Sequence, residues 1–587
     1  MIHRNRKGLL KIDSAIIVIA LMIFVYVAIF SLFSYLRFLN FYTGNWDLGI
    51  NMQELWATTH GKFMYESADY ENYLAVSHLE IHPTLVAIPV AYIFFYLPGA
   101  ATLFILQSLF VSAAIIPLYF ISRKLITNRA VVYSILALYL LSVGIVSSLL
   151  DDYHWMSLIP LEYFSFFYLV WQKRYYLSVL PFITGIFTLE VFPFLAASVI
   201  LYLAFSRWGV LALRFWKMSR ERDWIVYVVY IIICGVSFLF LRYLQIVFFP
   251  ALLGNENSVP YITRSFDPFF NLHPGIYGFA NGIFYWIILY ASLGFLPFLH
   301  KKHFILAAPW IYETIIVLPN YSGLGNQYAF IGMPPIMIGA IMGIQRIQRV
   351  EPYRLMTTFR IAAIGSSVFL VSLVPVDYYL GFSVYHAIIT AVIFPGIILL
   401  FLGFRKISRL TGRNHVHAEV DSNFHRKRAV VGILIVVILF NLLISPVGLQ
   451  QIENRSVSGG YAFTYGVNPE FSDAKSLAAM VGHNGQVLAS NHLFPLVSED
   501  LNAYPIASLG TASETHYYGL PFNESTPPVY LFIDSSEIAS VPAYLVAYLH
   551  NSSIYGLLGA VYSNVSFPGD IFLYELNYSG SPVIYYV

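Results

Sequence analysis

The chain has 587 residues, of which 58% are hydrophobic and only 11% are charged. Soluble globular proteins carry about 25% charged residues, so most of this chain is expected to lie in lipid. A net charge of +2 at pH 7 provides no strongly basic surface, so we predict no nucleic-acid partner. The single cysteine, Cys234, excludes an intrachain disulfide framework.

The first apolar run, residues 14–38, follows the basic segment MIHRNRKGLLK. A secretory signal has an apolar core of about 7–15 residues and ends at a small-residue cleavage site. This run is longer and lacks such a site, so it predicts an anchored first helix. Its basic flank predicts a cytoplasmic N-terminus and a multi-pass protein of the cell membrane.

Further apolar runs of about 17–25 residues predict more membrane spans, about 11 in all with the first. They cover 101–122, 130–150, 155–171, 224–249, 280–299, 303–319, 327–345, 359–376, 382–404 and 429–446. Two runs do not fit this pattern. Residues 83–98 are short and bracketed by prolines, and 177–206 are too long for one span and bend around Pro193.

The positive-inside rule indicates where these two runs lie. Clusters of Lys and Arg occur at 4–11, 123–129, 173–174, 207–222, 301–302, 346–360 and 405–428. They share one side of the membrane only if 83–98 does not cross and 177–206 goes out and returns. We therefore predict an α-helical polytopic membrane domain over 1–446. It contains a first outer loop over 39–100 with interfacial helices, and a helical hairpin with Glu190 at its outer end.

Residues 447–587 have a different composition: they are polar, rich in turn residues, and contain only Arg455 and Lys475 as basic residues. Short apolar runs (QVLAS, VYLFID and IFLYEL) separated by Gly, Asn and Pro predict strands, and hence a small α/β domain. The span count predicts that this domain is extracytoplasmic. Asn-x-Ser sequons on this predicted side favour a glycoprotein; they lie at Asn320, Asn454, Asn523, Asn551, Asn564 and Asn577.

Four polar groups lie at predicted outer ends of membrane segments. They are Asp47 with Gln53 and Glu54 in NWDLGINMQELW, His78 and His82 in SHLEIHP, Asp151, Asp152 and His154 in DDYH, and Glu190 in TLEVFP. Ionisable residues at membrane depth cost about 2.5–3.5 kcal/mol on insertion scales and tend to mark function. Because the topology brings all four groups to one face, we predict a single site there.

Each group also has a structural interpretation. The helix dipole alone stabilises an acid such as Asp47 at a helix N-terminus. DDYH is also typical of a solvated turn, and the two histidines of SHLEIHP are typical of interface residues. Glu190 is also compatible with a hydrogen-bonded packing residue, but its lack of a charged neighbour in sequence favours a functional role.

Several blocks of the sequence resemble, in order, a family of prokaryotic multi-span membrane proteins known as domain of unknown function 2079. The blocks are NWDLGINMQELW, SHLEIHP, LQSLFVSAAIIPLYFISRKL, DDYHWMSLIPLE, TLEVFPFLA, VLASNHLFPLVSEDLNAYPI and VYLFIDSS. Two positions depart from the family pattern. Trp46 replaces the usual Phe before the first Asp, and Leu189-Glu190-Val191 replaces a frequent Lys-Glu-Asp.

The family is in turn similar to GT-C glycosyltransferases, which use lipid-phosphate sugar donors and carry an essential acid in the first outer loop. The resemblance implies a transferase that moves a hexose or pentose from a polyprenyl-phosphate donor to an unidentified glycan, lipid or protein acceptor. It implies catalytic roles for Asp47, Asp152, His154 and Glu190. Residues expected to bind substrate are Gln53, Glu54, His78, His82 and Arg264.

Glycosyl transfer from such a donor needs a base for the acceptor hydroxyl and positive charge for the departing phosphate. On the predicted outer side the charge comes either from Arg37, Lys62 and Arg264, or from a divalent cation. Oxygen ligands suit Mg²⁺ or Mn²⁺, and the candidate ligands are Asp47, Asp152, His154 and Glu190. The sequence does not decide between the two.

Two other functions are compatible with the same residues. A carrier or flippase for a lipid-linked saccharide would use the acidic groove without chemistry, and inverted repeats would favour it. A non-catalytic scaffold protein would act through its outer domain.

Overall fold

In the computed structural model, the chain is mostly helical and ends in a small β-sheet. The structure describes residues 2–4, 10–12, 14–69, 74–208, 223–255, 275–317, 326–349, 430–432, 434–439, 441–442, 445, 466–482, 485–506, 526–541, 546–547, 554–564 and 567–587. The predicted spans 359–376 and 382–404 and the candidate Arg264 lie outside these residues.

Helices make up most of the described chain between residues 14 and 349. The α-helices are Ser14–Leu39, Ile50–Thr59, Ala87–Tyr96, Ala100–Ala113, Ile115–Leu125, Arg129–Leu140, Val143–Asp151, Ile159–Trp171, Tyr175–Thr188, Phe192–Trp208, Asp223–Tyr243, Phe249–Leu253, Gly275–Ser292, His303–Tyr312 and Ala329–Arg349. Short π-helical or 3₁₀ turns are Asn45–Gly49, His78–Glu80, Trp155–Leu158, Leu244–Phe248, Leu296–Leu299 and Glu313–Val317.

Five helical stretches are long and apolar enough to cross a membrane, which needs about 20 residues. They are Ser14–Leu39, Ala100–Leu125, Arg129–Asp151, Asp223–Leu253 and Ala329–Gln348. All five coincide with predicted spans, so multiple transmembrane helices are confirmed. The predicted spans 155–171, 280–299, 303–319 and 429–446 coincide with helices outside this set of five, and the count of 11 stays a prediction.

The two exceptional apolar runs fold as short helices. The helix in 83–98 is Ala87–Tyr96, whose 10 residues span only about 15 Å and are too few to cross a bilayer. The run 177–206 is broken between Tyr175–Thr188 and Phe192–Trp208, with Glu190 in the break. The two helices pack closely, since a Cβ on Gly185 would lie 2.4 Å from the Phe192 ring.

The described residues contain eight short strands, and the last six form one mixed sheet. The strands are β1 (Ile2–Arg4), β2 (Leu10–Ile12), β3 (Val487–Ala489), β4 (Ala503–Pro505), β5 (Tyr530–Asp534), β6 (Tyr555–Tyr562), β7 (Ile571–Leu576) and β8 (Val583–Tyr586). The sheet order is β4-β3-β5-β7-β6-β8. β3 runs parallel to β4 and β5, β7 is antiparallel to β5 and β6, and β8 is parallel to β6.

The runs QVLAS, VYLFID and IFLYEL form β3, β5 and β7, so the predicted small C-terminal sheet is present. The helix Glu470–Ala478 packs on this sheet, with Leu477 against Gly559 of β6. We call the described residues from 466 to 587 the C-terminal part.

The hydrophobic core of the C-terminal part includes a residue from the other end of the chain. Phe41, which follows the first membrane helix, is 2% exposed and belongs to the same buried cluster as Phe494 and Leu573. Its ring lies 5.5 Å from that of Phe471. The C-terminal part therefore packs directly on the segment that carries Asp47.

Candidate functional site

Asp47 lies on a short helical turn that starts six residues after the first membrane helix ends. The turn is Asn45–Gly49 and continues into the helix Ile50–Thr59. Leu48 is fully buried beneath it, whereas Trp46 is exposed on its other side. This alternation anchors the turn and leaves the Asp47 side chain 36% exposed. Asp47 is thus accessible to a substrate.

His154 lies between two carboxylates. Its Nδ1 is 3.2 Å from Asp47 Oδ1, and its Nε2 is 3.5 Å from Asp151 Oδ2. The His154 side chain is only 7% exposed, so it is the buried partner of the more exposed Asp47. Asp151 ends the membrane span Arg129–Asp151, and His154 starts the next turn, so DDYH is held at the end of a helix.

Asp152 connects DDYH to the chain just before Asp47. Its Oδ2 accepts a hydrogen bond from the backbone N–H of Gly44 at 3.2 Å. Its Oδ1 accepts one from the N–H of Tyr153 at 2.8 Å. With 9% exposure and both oxygens bonded to backbone, Asp152 is placed to hold the Asp47 turn in position.

Protonation in this group is set by burial and by neighbouring charges. Burial raises the pKa of the Asp47 carboxyl to about 6, and the charge of His154 works against this rise. Burial and then the charge of Asp47 raise the pKa of Asp152 to about 7. For His154, burial lowers the pKa but Asp47 and Asp151 outweigh it, so it rises to about 9. At neutral pH, His154 is charged and Asp47 is largely ionised, with a pKa suited to a general base.

Gln107 fixes the DDYH segment, and sequence reasoning missed it. Its Nε2 donates to the carbonyl oxygens of Leu149 at 2.9 Å and Asp152 at 2.8 Å. Its Oε1 accepts from the N–H of His154 at 2.7 Å. Gln107 is fully buried in the helix Ala100–Ala113. A lone amide within an apolar helix was the available signal, because a buried polar group needs partners.

A second group of ionised residues surrounds Glu190. His82 Nδ1 lies 2.9 Å from Glu190 Oε1 and 3.1 Å from Oε2. Burial alone would raise the pKa of Glu190, but the charge of His82 and its hydrogen bond lower it to about 2. Burial lowers and Glu190 raises the pKa of His82, with a net rise. The two form an ion pair at the break of the 177–206 helices.

Arg242 interacts electrostatically with both members of this pair and was not among the predicted site residues. It donates to Gln245 Oε1 at 2.8 Å, and Gln245 donates in turn to the carbonyl of Ile81. Arg242 lies 19 residues into the span that starts at Asp223, about 29 Å along the helix axis and close to one bilayer thickness. An arginine within an apolar span was the signal for it.

Asp69 and His78 connect the two groups. His78 Nδ1 lies 2.7 Å from Asp69 Oδ2, and the His78 and His82 rings are 5.2 Å apart. Asp47 interacts electrostatically with both Asp69 and His78. At least one polar residue from each of the four distant segments thus lies in one continuous cluster, which contains Asp47, His78, His82, Asp151, His154 and Glu190.

Gln53 and Glu54, which the sequence suggested as substrate contacts, are buried. Gln53 is fully buried and donates to the carbonyls of Asp500 at 3.1 Å and Ala503 at 2.9 Å in the C-terminal part. Glu54 is 1% exposed, and neither of its carboxyl oxygens has a hydrogen-bond partner among the described residues. Burial and then the charge of Asp69 raise its pKa well above the usual range. In this structure, neither side chain is available to a substrate.

The expected Mg²⁺ or Mn²⁺ site has no geometric support. Within the described residues, no group of three or more His, Cys, Asp or Glu side chains is arranged to hold a metal ion. Glu190 is paired with His82, and both oxygens of Asp152 bond to backbone amides. The residues present do not fit the cation site that the sequence suggested.

Comparison with known proteins gives one match. The family described as "Predicted membrane protein (DUF2079)" matches residues 37–385, which include every member of the cluster. Neither a curated protein nor a solved structure matches the chain.

Proposed function

Since the chain belongs to the DUF2079 family of membrane proteins, we propose that it is an integral membrane glycosyltransferase. It moves a sugar from a polyprenyl-phosphate donor to an acceptor hydroxyl at the outer face of the membrane. The observation that carries the proposal is the accessible Asp47, with its pKa raised to about 6 and a charged His154 at 3.2 Å. That is a general base with a fixed orienting partner, which a structural loop does not need.

The step proceeds as follows. The acceptor hydroxyl attacks the anomeric carbon of the donor sugar while an oxygen of Asp47 takes the hydroxyl proton. The bond between that carbon and the phosphate oxygen breaks, and its electron pair leaves with polyprenyl phosphate. Asp47 then releases the proton to water, which its exposed carboxylate can reach.

The other residues of the cluster orient this step or balance its charge. His154 keeps Asp47 ionised and directed outward, and Asp152 holds the backbone before Asp47 through the Gly44 N–H. His82 and Arg242 provide positive charge for the departing phosphate, with Glu190 holding His82 in its charged form. Histidine and arginine thereby supply this positive charge without a divalent cation.

Replacing Asp47 by Asn tests the proposal because shape is kept and the basic carboxylate is lost. The protein in liposomes receives a panel of radiolabelled polyprenyl-phosphate hexoses and pentoses with mixed glycan and lipid acceptors. Loss of a general base typically lowers the rate by about 10²–10⁴-fold, and donor binding should stay within about twofold.

The matched control is Asp473→Asn in the first turn of the helix Glu470–Ala478, which should leave transfer unchanged. Glu66 and Asp69, two other acids of the segment 39–81, are not suitable as controls. Glu66 Oε2 accepts from two backbone N–H groups, and Asp69 belongs to the cluster. Equal transfer by Asp47→Asn and wild type would refute the role of Asp47. Movement of intact donor without transfer would favour the carrier function instead.

A further inference from the structure

Resting on the proposed function, we infer that Asn491 of the C-terminal part is a positioning residue of the Asp47 site. It caps, from a distance of 446 residues in sequence, the helical turn that presents Asp47. The C-terminal part is then a component of the catalytic apparatus rather than a separate surface module.

The first observation is the way in which the Asp47 turn is capped. A helix leaves its first N–H groups without intrahelical partners, and side chains usually satisfy them. Gly44, at the N-cap of this turn, has no side chain to do so. The Asn45 N–H instead donates to Asn491 Oδ1 at 2.9 Å, and the Gly44 N–H donates to Asp152 at 3.2 Å. Two successive amides before Asp47 are therefore held from two different parts of the protein.

The second observation is how closely the two surfaces approach. A Cβ on Gly44 would lie 2.6 Å from Asn491 Oδ1, and a Cβ on Gly49 would lie 2.6 Å from Phe494 Cδ1. Only glycine allows these approaches at the two ends of the turn. The turn is therefore packed against the segment that contains Asn491 and cannot shift without moving it.

The third observation is the rigidity of the Asn491 segment itself. The Asn491 N–H donates to Glu537 Oε2 at 2.8 Å. His492 lies 3.0 Å from Glu537 Oε1 and contacts Asp534 with its other ring nitrogen. His492 is 4% exposed, so its side chain is fixed between these two carboxylates. The capping oxygen is thus anchored to the end of β5.

The fourth observation is backbone strain where the segment starts. Phe41 has φ +60°, a left-handed conformation that is strained for a bulky L-residue. It is nevertheless buried against Phe471 and His492 of the C-terminal part. The packing of the C-terminal part therefore holds this segment in a conformation that it would not adopt alone.

The test uses full-length protein in liposomes with the same panel of labelled polyprenyl-phosphate sugars. Asn491→Ala removes the capping oxygen; because a misplacement of about 1 Å can cost about 10²-fold, we expect kcat to fall by about 10–100-fold. The KM for the donor should stay within about twofold. Because burial raises and the charge of His154 lowers the pKa of Asp47, a displaced Asp47 should also shift the acidic limb of the pH profile.

Two further variants separate positioning from a general loss of stability. Asn468→Ala removes the side chain that caps the helix Glu470–Ala478 in the same part, through the Glu470 N–H, and should leave kcat unchanged. Asn491→Asp keeps the acceptor oxygen and should restore most of kcat at pH 8. Equal losses in Asn491→Ala and Asn468→Ala, or an unshifted pH profile, would overturn the inference.

A cross-link tests the contact independently of activity. In a Cys234→Ser background, Gly44→Cys with Asn491→Cys should form a disulfide on mild oxidation, because a Cβ on Gly44 would lie 3.3 Å from Asn491 Cγ, which the new sulfur at that position replaces. Absence of the disulfide would overturn the inference. Wild-type protein without transfer but with efficient cross-linking would refute the proposed function and with it the positioning role of Asn491 in transfer, while the contact between Gly44 and Asn491 would stand.

Discussion

Replacing His154 by Gln tests whether the charge of His154 lowers the pKa of Asp47. The imidazolium lies 3.2 Å from Asp47 Oδ1 and lowers the pKa of that carboxyl. Gln keeps a polar side chain of similar size and removes the charge. The pKa of Asp47 should therefore rise above its present value of about 6.

The magnitude follows from Coulomb's law. At 3.2 Å the attraction of two unit charges is about 1.3 kcal/mol in bulk water, the weakest case, and that equals about one pH unit. We use this limit because 36% of the Asp47 side chain is exposed. At pH 6, the ionised fraction of Asp47 should then fall from about a half to about a tenth. At pH 8 the two proteins should differ little in ionisation.

The assay is the pH dependence of kcat/KM between pH 5 and 8.5, which reports the free enzyme's base. The acidic limb of His154→Gln should lie about one pH unit above that of the wild type, with a loss of about fivefold at pH 6 that shrinks at pH 8. His60→Gln is the control, since His60 is exposed on the same segment and stacks on Trp56. Superimposable profiles for His154→Gln and wild type would refute the pairing as a determinant of Asp47 basicity.

Two further outcomes are expected. Gln107→Leu removes the hydrogen-bond partner of the Leu149 and Asp152 carbonyls and of the His154 N–H, which costs about 1–3 kcal/mol for each buried group. The unfolding temperature and kcat should therefore both fall. An unchanged kcat would show that the position of the DDYH segment does not affect catalysis. In a Cys234→Ser background, single cysteines at exposed positions 62 and 475 should react with an impermeant thiol reagent in intact cells, and one at position 124 should not. Labelling at position 124 would mean that the helix Ala87–Tyr96 lies in a segment that crosses the membrane.

Much of the helical framework could be predicted because apolar length alone determines it. The predicted run 14–38 becomes Ser14–Leu39, and the bend expected around Pro193 is the break that exposes Glu190 to His82. A proline and a buried charge each affect the structure of the nearby chain, so their effects can be predicted from a single sequence. The strands β3, β5 and β7 were predictable for the same reason, since short apolar runs between turn residues need no distant partner to be recognised.

Pairings between distant residues could not be predicted. Nothing in NWDLG states that Asp47 meets His154 more than a hundred residues later, or that Asn45 is capped by Asn491. Side-chain type was also a poor guide to function where a residue is buried. Gln53 has the chemistry of a substrate contact, yet its amide bonds hold two parts of the chain together. Arg242 was missed because its span was treated as uniformly apolar, although its position along the helix brings it to the cluster.

The chemical fate of the donor tests the central claim most directly. Purified wild-type protein in sealed liposomes receives polyprenyl-phosphate sugar labelled separately in the sugar and in the phosphate. If the chain is a glycosyltransferase that uses Asp47 as its base, the sugar label appears on the acceptor and the phosphate label remains on free polyprenyl phosphate, in equal amounts. Asp47→Asn should then form both products about 10²–10⁴-fold more slowly. Both labels staying together on intact donor, with or without its movement across the bilayer, would contradict the claim.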